Sequence, residues 1–367
     1  MPVPFFDITR QNNPLKKELD KALLDAAHSG KYILGPNVAE LEKEFAIYCG
    51  AKHSIGVASG TDSIELALVA AGVKPGDEVI TSPFTFVATA EAIVYCGATP
   101  VYVDINPQTF NIDASKIATK ITKKTRAILP VHLFGLAAEM DKIVDIAQKN
   151  SLAVVEDCAQ ATGAQYAGKR VGSFGLGAFS FFPTKNLGCF GDGGAITTND
   201  APTEKEVKVL RNHGSREQYR HNVIGFNSRL DELQAVILRI KLPLLDSLIE
   251  KRRNNATLYY EQLKGIKQIA LPFEPEQAKH TYNQFTIKVK DRDKLQAHLK
   301  AQGVASMVYY PISLHLQEAF AHLGHKAGDF PESEAAQKEV LSLPIFPELS
   351  KAEINEACFA IREYFQQ

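Results

Sequence analysis

The sequence predicts an α/β protein: a mainly parallel sheet covered by helices on both faces, with a smaller second lobe appended. Three observations point there. From His53 onward, β-prone runs at 54–58, 78–82, 99–103, 127–131 and 153–156 alternate with helical stretches at 61–71, 88–96, 114–121 and 140–150, the rhythm of strand–helix–strand units. The chain has 367 residues, too many for one ordinary core and suited to two lobes. A helical pattern from 228 to about 263 bridges them, so the expected division is a large lobe over 1–245 and a smaller one over 246–367.

Each element follows from its pattern. Ahead of the alternation, 14–29 and 37–48 space their apolar residues as helices do (Leu15, Leu19, Leu23 and Leu24; Val38, Leu41 and Phe45) and are expected to lie over a core formed later. After it, 178–182 is a short apolar run that reads as a buried strand, 195–198 as another, and 202–212 as a helix. The polar stretch 212–227 is irregular. The bridging helix sets Leu230, Leu233, Ile237, Ile240, Leu244 and Leu248 on one face, and Pro243 should kink it. In the second lobe, 286–289 and 306–309 read as strands, and 292–302, 332–341 and 351–364 as helices.

Bulk properties remove several classes of function. Lys and Arg number 41 against 42 Asp and Glu, a formal charge of −1, which offers no electrostatic footprint for nucleic acid or an anionic membrane. Five cysteines are odd in number and lack CxxC spacing, so neither a disulfide frame nor a zinc site is suggested. The start, MPVPFFDITRQ, has no basic and apolar leader, and no apolar run is long enough to span a bilayer. A soluble cytoplasmic protein is expected, with no metal.

In open α/β sheets ligands gather at the carboxyl ends of the strands, where helix N-termini also point. The stretch 178–194, AFSFFPTKNLGCFGDGG, delivers Lys185 just past a strand into a glycine-rich segment beside Phe181, Phe182 and Phe190. A desolvated Lys there would have a lowered pKa and a nucleophilic neutral amine; a solvated loop Lys fits the same residues. Ser59-Gly60-Thr61-Asp62 opens a helix and suits a phosphate, or is a plain N-cap. Asp157, with Gln160 three residues on, could ion-pair with a ring nitrogen or serve as a loop acid. Phe84 or Phe86 could face a planar ligand or pack in the core. Gly188–Gly194 leads into a strand and so differs from a dinucleotide-binding loop; Asp192 reads as a turn former, and His322 and His325 lack metal-ligand partners.

In order along the chain stand Ser59-Gly60-Thr61, Pro83-Phe84-Thr85-Phe86-Val87-Ala88-Thr89, Glu156-Asp157-Cys158-Ala159-Gln160, Ser180 followed by Lys185-Asn186-Leu187-Gly188, Gly191-Asp192-Gly193-Gly194, and Asn227-Ser228-Arg229-Leu230-Asp231-Glu232-Leu233-Gln234-Ala235. By these motifs the chain, over nearly its whole length, resembles the DegT-type (DegT/DnrJ/EryC/StrS) sugar aminotransferases. The resemblance implies the aspartate-aminotransferase fold (fold type I), with a seven-stranded, mainly parallel sheet, and pyridoxal 5′-phosphate as cofactor. It gives Lys185 the Schiff-base link to the cofactor and the proton shuttle, Asp157 the pyridine nitrogen, Gln160 the phenolic oxygen, Phe86 the ring face, and Gly60, Thr61 and Ser180 the phosphate.

By the same resemblance Asn227 reaches the phosphate in a neighbouring subunit, so a homodimer with shared sites is implied. The reaction implied takes an amino group from L-glutamate to a keto sugar on UDP or dTDP, for amino-sugar and polysaccharide biosynthesis such as a lipopolysaccharide O-antigen. The Lys-Asn-Leu-Gly and Gly-Asp-Gly-Gly pair resembles relatives acting at C-3 more than those acting at C-4. A cofactor-binding regulator without catalysis is the alternative of another class. Arg229 could take the donor carboxylate or form a structural ion pair; His213, Tyr309, Tyr310 and His315 are candidates for the sugar or diphosphate. Relatives that remove a sugar hydroxyl carry His where this chain has Lys185, which disfavours dehydration.

Overall fold

The computed structural model describes residues 2–217 and 219–366. Its central sheet has seven strands: β1 (His53–Val57), β2 (Glu78–Thr81), β3 (Thr99–Tyr102), β4 (Thr125–Ile128), β5 (Ala153–Asp157), β6 (Leu176–Ser180) and β7 (Gly194–Thr198), in the order β1-β7-β6-β5-β4-β2-β3. All pairings are parallel except the two made by β7. The sheet is thus the mainly parallel one expected, with every carboxyl end but that of β7 on one edge. The run expected at 178–182 begins two residues earlier, because Leu176 and Gly177 pair with Val155 and Glu156.

Helices of nine residues or more are α1 (Lys16–His28), α2 (Pro36–Cys49), α3 (Gly60–Ala70), α4 (Val87–Tyr95), α5 (Met140–Lys149), α6 (Ala201–Leu210), α7 (Glu232–Lys241), α8 (Leu245–Leu263), α9 (Arg292–Ala301), α10 (Pro331–Glu339) and α11 (Lys351–Gln366). Local chemistry sets their ends. Ser59 caps α3 by accepting the Asp62 N–H at 3.1 Å, and Gly50, at φ 69°, closes α2 in the left-handed conformation that glycine adopts without strain.

The bridging helix differs from expectation. Pro243 does more than kink it: Leu242–Leu244 forms a 3₁₀ turn that separates α7 from α8. The axial break carries Leu244 to the surface, while α7, packed between α1 and α2, buries Ala235, Val236 and Leu238 as well as Ile237. The single apolar face read from the sequence is therefore not continuous.

The second lobe holds an antiparallel sheet of β8 (Ile269–Ala270), β9 (Phe285–Val289) and β10 (Val340–Leu343). The helix expected over 332–341 stops at Glu339, and the next four residues are the buried strand β10. A short apolar run continues a helical period as readily as it forms a strand, and here pairing with β9 decides. Residues 306–309 form no strand; Met307 alone bridges to Ser342. Within 212–227, Ser215–Glu217 and Arg220–His221 make a small hairpin.

Two apolar cores lie to either side of α8, which gives Leu245 and Ile249 to the first and Ala256, Tyr259 and Leu263 to the second. Val3 belongs to the second core, so the chain's first residues pack on the lobe made by its last. Between the cores, Phe84, Phe110, Val131 and Phe134 meet Ala336 and Val340, with Tyr309 and Tyr310 against them.

One buried carboxylate fastens this junction. Asp104, just past β3, accepts the N–H groups of Glu332 and Ser333 at 3.0 Å each and the Ser333 hydroxyl at 2.6 Å. It caps α10 from across the lobes, where the helix's first N–H groups have no partner of their own. We expect Asp104→Ala to lower unfolding free energy by about 2 kcal/mol in urea titrations; a change within about 0.5 kcal/mol would contradict the capping role.

Candidate active site

The site is assembled where β5 and β6 end side by side, since Asp157 pairs with Ala178 in parallel register. Asp157 is 4% exposed. Its two oxygens accept from the Thr89 hydroxyl at 2.8 Å and the Ala159 N–H at 3.1 Å, and Thr85 lies 3.0 Å behind Thr89. Burial pushes the Asp157 carboxyl above its ordinary range; the Thr89 hydroxyl, the Ala159 N–H and the charge of Lys185 draw it back.

Lys185 follows a tight turn after β6, its N–H bonded to the Phe182 carbonyl at 2.9 Å. Burial pushes its ammonium down, and the charge of Asp157 opposes that shift. The glycines of this loop are close-fitting. A Cβ on Gly188 would stand 2.4 Å from the Pro183 oxygen, and one on Gly194 2.3 Å from the Ser59 oxygen. The loop therefore folds back against its own start.

Gly60 and Thr61 are the first residues of α3, whose opening N–H groups lack helical acceptors. A Cβ on Gly60 would meet the Ser180 Cβ at 2.6 Å; its absence lets the Ser180 side chain lie against the positive end of α3. That cradle of N–H groups, a hydroxyl and a helix dipole fits a phosphate. Gln160 accepts the Phe134 N–H at 2.7 Å and donates to the Tyr310 hydroxyl at 2.9 Å, which fixes its amide orientation. Phe86, the N-cap of α4, is 56% exposed with its ring 6.1 Å from that of Tyr310. A cation-seeking acid, a desolvated amine, a phosphate cradle and an open aromatic face are the donor set that pyridoxal phosphate requires.

Other expected residues stand elsewhere in the monomer. Asn227 and Arg229 bond to each other, and Arg229 also donates to Asn212 at 3.0 Å. Both line a separate cleft of about 470 Å³ with Ile33, Asp192 and Asp231. His213 is exposed at the base of the hairpin, its carbonyl accepting from His221 Nδ1 at 2.8 Å. His315 is buried 3.1 Å from Glu334 with its ring against Phe330, and burial pushes its pKa down. Tyr309, by contrast, is next to the site: it packs on Phe5 and, at 5.8 Å between ring centres, on Tyr310.

Two features escaped the sequence reading. Thr89 is the third residue of α4, and no spacing rule ties it to Asp157. His132, by contrast, follows β4 and was open to the same strand-end logic. Its Nδ1 accepts the Ala138 N–H at 3.0 Å and its Nε2 faces Glu156 at 3.1 Å, so it is the Nε2-protonated tautomer. Glu156 in turn accepts the N–H groups of Gly172, Phe174 and Gly175. Although His132, Glu156 and Cys158 cluster closely, the first two are engaged in these hydrogen bonds.

Fold and site together define a fold type I, pyridoxal-phosphate-dependent aminotransferase. A model of the DegT/DnrJ/EryC1/StrS aminotransferase family matches residues 13–362. The chain is 50% identical to a pleiotropic regulatory protein of Geobacillus stearothermophilus, over 100% of this chain and 99% of that one. It is 46% identical to the UDP-N-acetyl-3-dehydro-alpha-D-glucosamine 3-aminotransferase of Acidithiobacillus ferrooxidans, over 98% and 97%. The solved structure of S. venezuelae DesV in complex with a ketimine intermediate superimposes with a TM-score of 0.98 at 42% identity, covering 100% of this chain and 99% of that one. The protein belongs to the DegT/DnrJ/EryC1/StrS aminotransferase family.

The raised pKa of Asp157 yields a signed prediction for cofactor-free protein. Below about pH 4 the carboxyl is protonated folded or unfolded; as pH rises the unfolded chain ionises first and the folded state loses ground. Asp157→Asn, whose amide can donate to Thr89 if that hydroxyl turns toward Thr85, should therefore resist urea better than the parent at pH 7.5, with the gap closing toward pH 4. Transaminase turnover should fall by about a hundredfold or more. A variant less stable than the parent at pH 7.5 would contradict the assigned desolvation.

Proposed function

We propose that the protein moves an amino group from L-glutamate to the C-3 keto carbon of a UDP- or dTDP-linked sugar, working as a homodimer with shared sites. The observation that carries this reading is the placement of Lys185, on the turn after β6, beside buried Asp157 at the end of the adjacent parallel strand, each shifting the other's pKa. The relative that aminates a 3-dehydro UDP-sugar supports the substrate class and the carbon.

Pyridoxal phosphate, when bound, supplies an aldehyde carbon that carries the amino group and a ring that takes up the electron pair released at the substrate carbon. The residues do the rest. Gly60, Thr61 and Ser180 bind the phosphate. Asp157, oriented by Thr89 and the Ala159 N–H, holds a proton on the ring nitrogen, and that cation offsets the desolvation of the carboxylate. Gln160 Nε2 has a second N–H to give to the phenolic oxygen, and Phe86 covers one ring face. Lys185, whose pKa burial draws down toward the free amine, would act first as nucleophile and then move a proton between the substrate carbon and C4′.

Asn227 and Arg229 are assigned to the neighbouring subunit's site. In support, their side chains bond to each other and to Asn212 in their own chain, and Ile33 beside them is 49% exposed, with Tyr32 and Leu34 also open. Such an apolar rim is typical of a surface covered by a partner. Arg229, steadied by Asn212, suits the donor carboxylate, and Tyr309 with His213 the sugar side. The relative named a pleiotropic regulatory protein favours a second reading, a cofactor-binding regulator.

Two experiments test these readings. Purified protein should be yellow, and borohydride should fix the cofactor on Lys185; Lys185→Ala should keep the fold and lose turnover by at least about a thousandfold, whereas retained turnover refutes the role. Incubation with glutamate and a panel of keto nucleotide sugars, with NMR location of the new amine, should place it on C-3. Bleaching of the cofactor absorbance by glutamate supports the enzyme, and its absence in cofactor-loaded protein supports the regulator.

A further inference from the structure

We propose that Lys241 is a positioning residue for Lys185, clamping the loop that carries it through the Gly188 carbonyl. The inference rests on the reading of Lys185 as the residue that binds the cofactor covalently. Lys241, the last residue of α7, is 2% exposed. Its ammonium donates to the Gly188 oxygen at 3.0 Å and lies 4.9 Å from the centre of the Phe190 ring. One face of the same helix supplies a second grip seven residues earlier, where Gln234 Oε1 accepts the Phe190 N–H at 2.8 Å.

These two grips close a loop whose other end is already fixed. Gly188 is folded onto Pro183, Cys189 N–H bonds to the Phe181 carbonyl at 2.8 Å, and Lys185 N–H bonds to the Phe182 carbonyl. The Lys185 backbone is thus held between β6 and α7. The ammonium at 241 meets a carbonyl and a ring rather than a carboxylate. Burial pushes it down to about 8, with Cys189 and Glu348 acting in the opposite sense. An unbranched apolar side chain such as Met would be easier to bury at this point, so packing alone does not account for a Lys here. Holding the carbonyl does.

The test compares parent, Lys241→Met and Lys241→Arg protein in two assays: the rate at which pyridoxal phosphate becomes borohydride-trappable on Lys185, read by mass, and the affinity for pyridoxamine phosphate, which forms no bond to Lys185. Condensation of the Lys185 amine with the aldehyde releases one water and needs no other reagent. Lys241→Met should bind pyridoxamine phosphate within about twofold of the parent yet attach pyridoxal phosphate about tenfold or more slowly, with Lys241→Arg recovering most of the rate. Attachment at the parental rate overturns the proposal. So does an equal loss of both ligands together with a lowered melting temperature, the mark of a role in folding alone. If Lys241→Met does not fold, Gln234→Leu, which releases the other grip, is judged by the same criterion. A parent protein that binds pyridoxal phosphate but traps none on Lys185 refutes the underlying reading of Lys185, an outcome separate from those above.

Discussion

Two groups of opposite charge, Asp157 buried and Lys185 half-buried, are brought together at and just past neighbouring strand ends, and the local structure is organised around that arrangement. Desolvation drives Asp157 toward its acid form and Lys185 toward its free amine, while each charge restrains the other's shift. Neither group is satisfied by the other alone. A ligand that presented a basic ring nitrogen to the acid and a carbonyl carbon to the amine would relieve both, so the proposed roles turn a destabilising arrangement in the free protein into one that serves binding. The pairing also depends on topology: only parallel neighbours such as β5 and β6 bring their carboxyl ends to one edge of the sheet.

Strand alternation divides the labour at the end of β5. Adjacent side chains on a strand point to opposite faces, and here Glu156 and Asp157 have unlike partners. Glu156 gathers three backbone N–H groups and His132, tying the 172–175 turn to the sheet. Asp157 takes one hydroxyl and one N–H and keeps capacity for another donor. A fully bonded carboxylate beside an incompletely bonded one is the difference between a structural acid and one available to a ligand.

Much of this was legible in the residue order. The alternation after His53 anticipated the number and direction of the first five strands, because βαβ units leave little freedom of topology, and the strand-end rule singled out Gly60, Asp157 and Lys185, which the fold places at the carboxyl edge of the sheet. What stayed illegible depended on tertiary choice. Val340–Leu343 reads as a helix end until β9 is there to pair with it. Leu244 reads as core until the Pro243 turn rotates it outward. Thr89 gains its importance only when α4 is laid against β5. His315 has the chemistry of a binding residue and the burial of a core one, and no periodicity distinguishes the two.

The second lobe reaches the cofactor side of the site through Tyr310. Its hydroxyl accepts from Gln160, its ring lies 6.2 Å from that of Phe84 and 6.1 Å from that of Phe86, and burial followed by the charge of Asp157 pushes its pKa up. A residue so placed touches the amide assigned to the phenolic oxygen and the aromatic assigned to the ring face at once. The 306–310 segment is itself tethered to β10 at Met307–Ser342, and β10 follows directly from α10, the helix that Asp104 caps from the large lobe. The path from Asp104 through α10 and β10 to Tyr310 therefore makes the geometry around Gln160 depend on how the two lobes are joined.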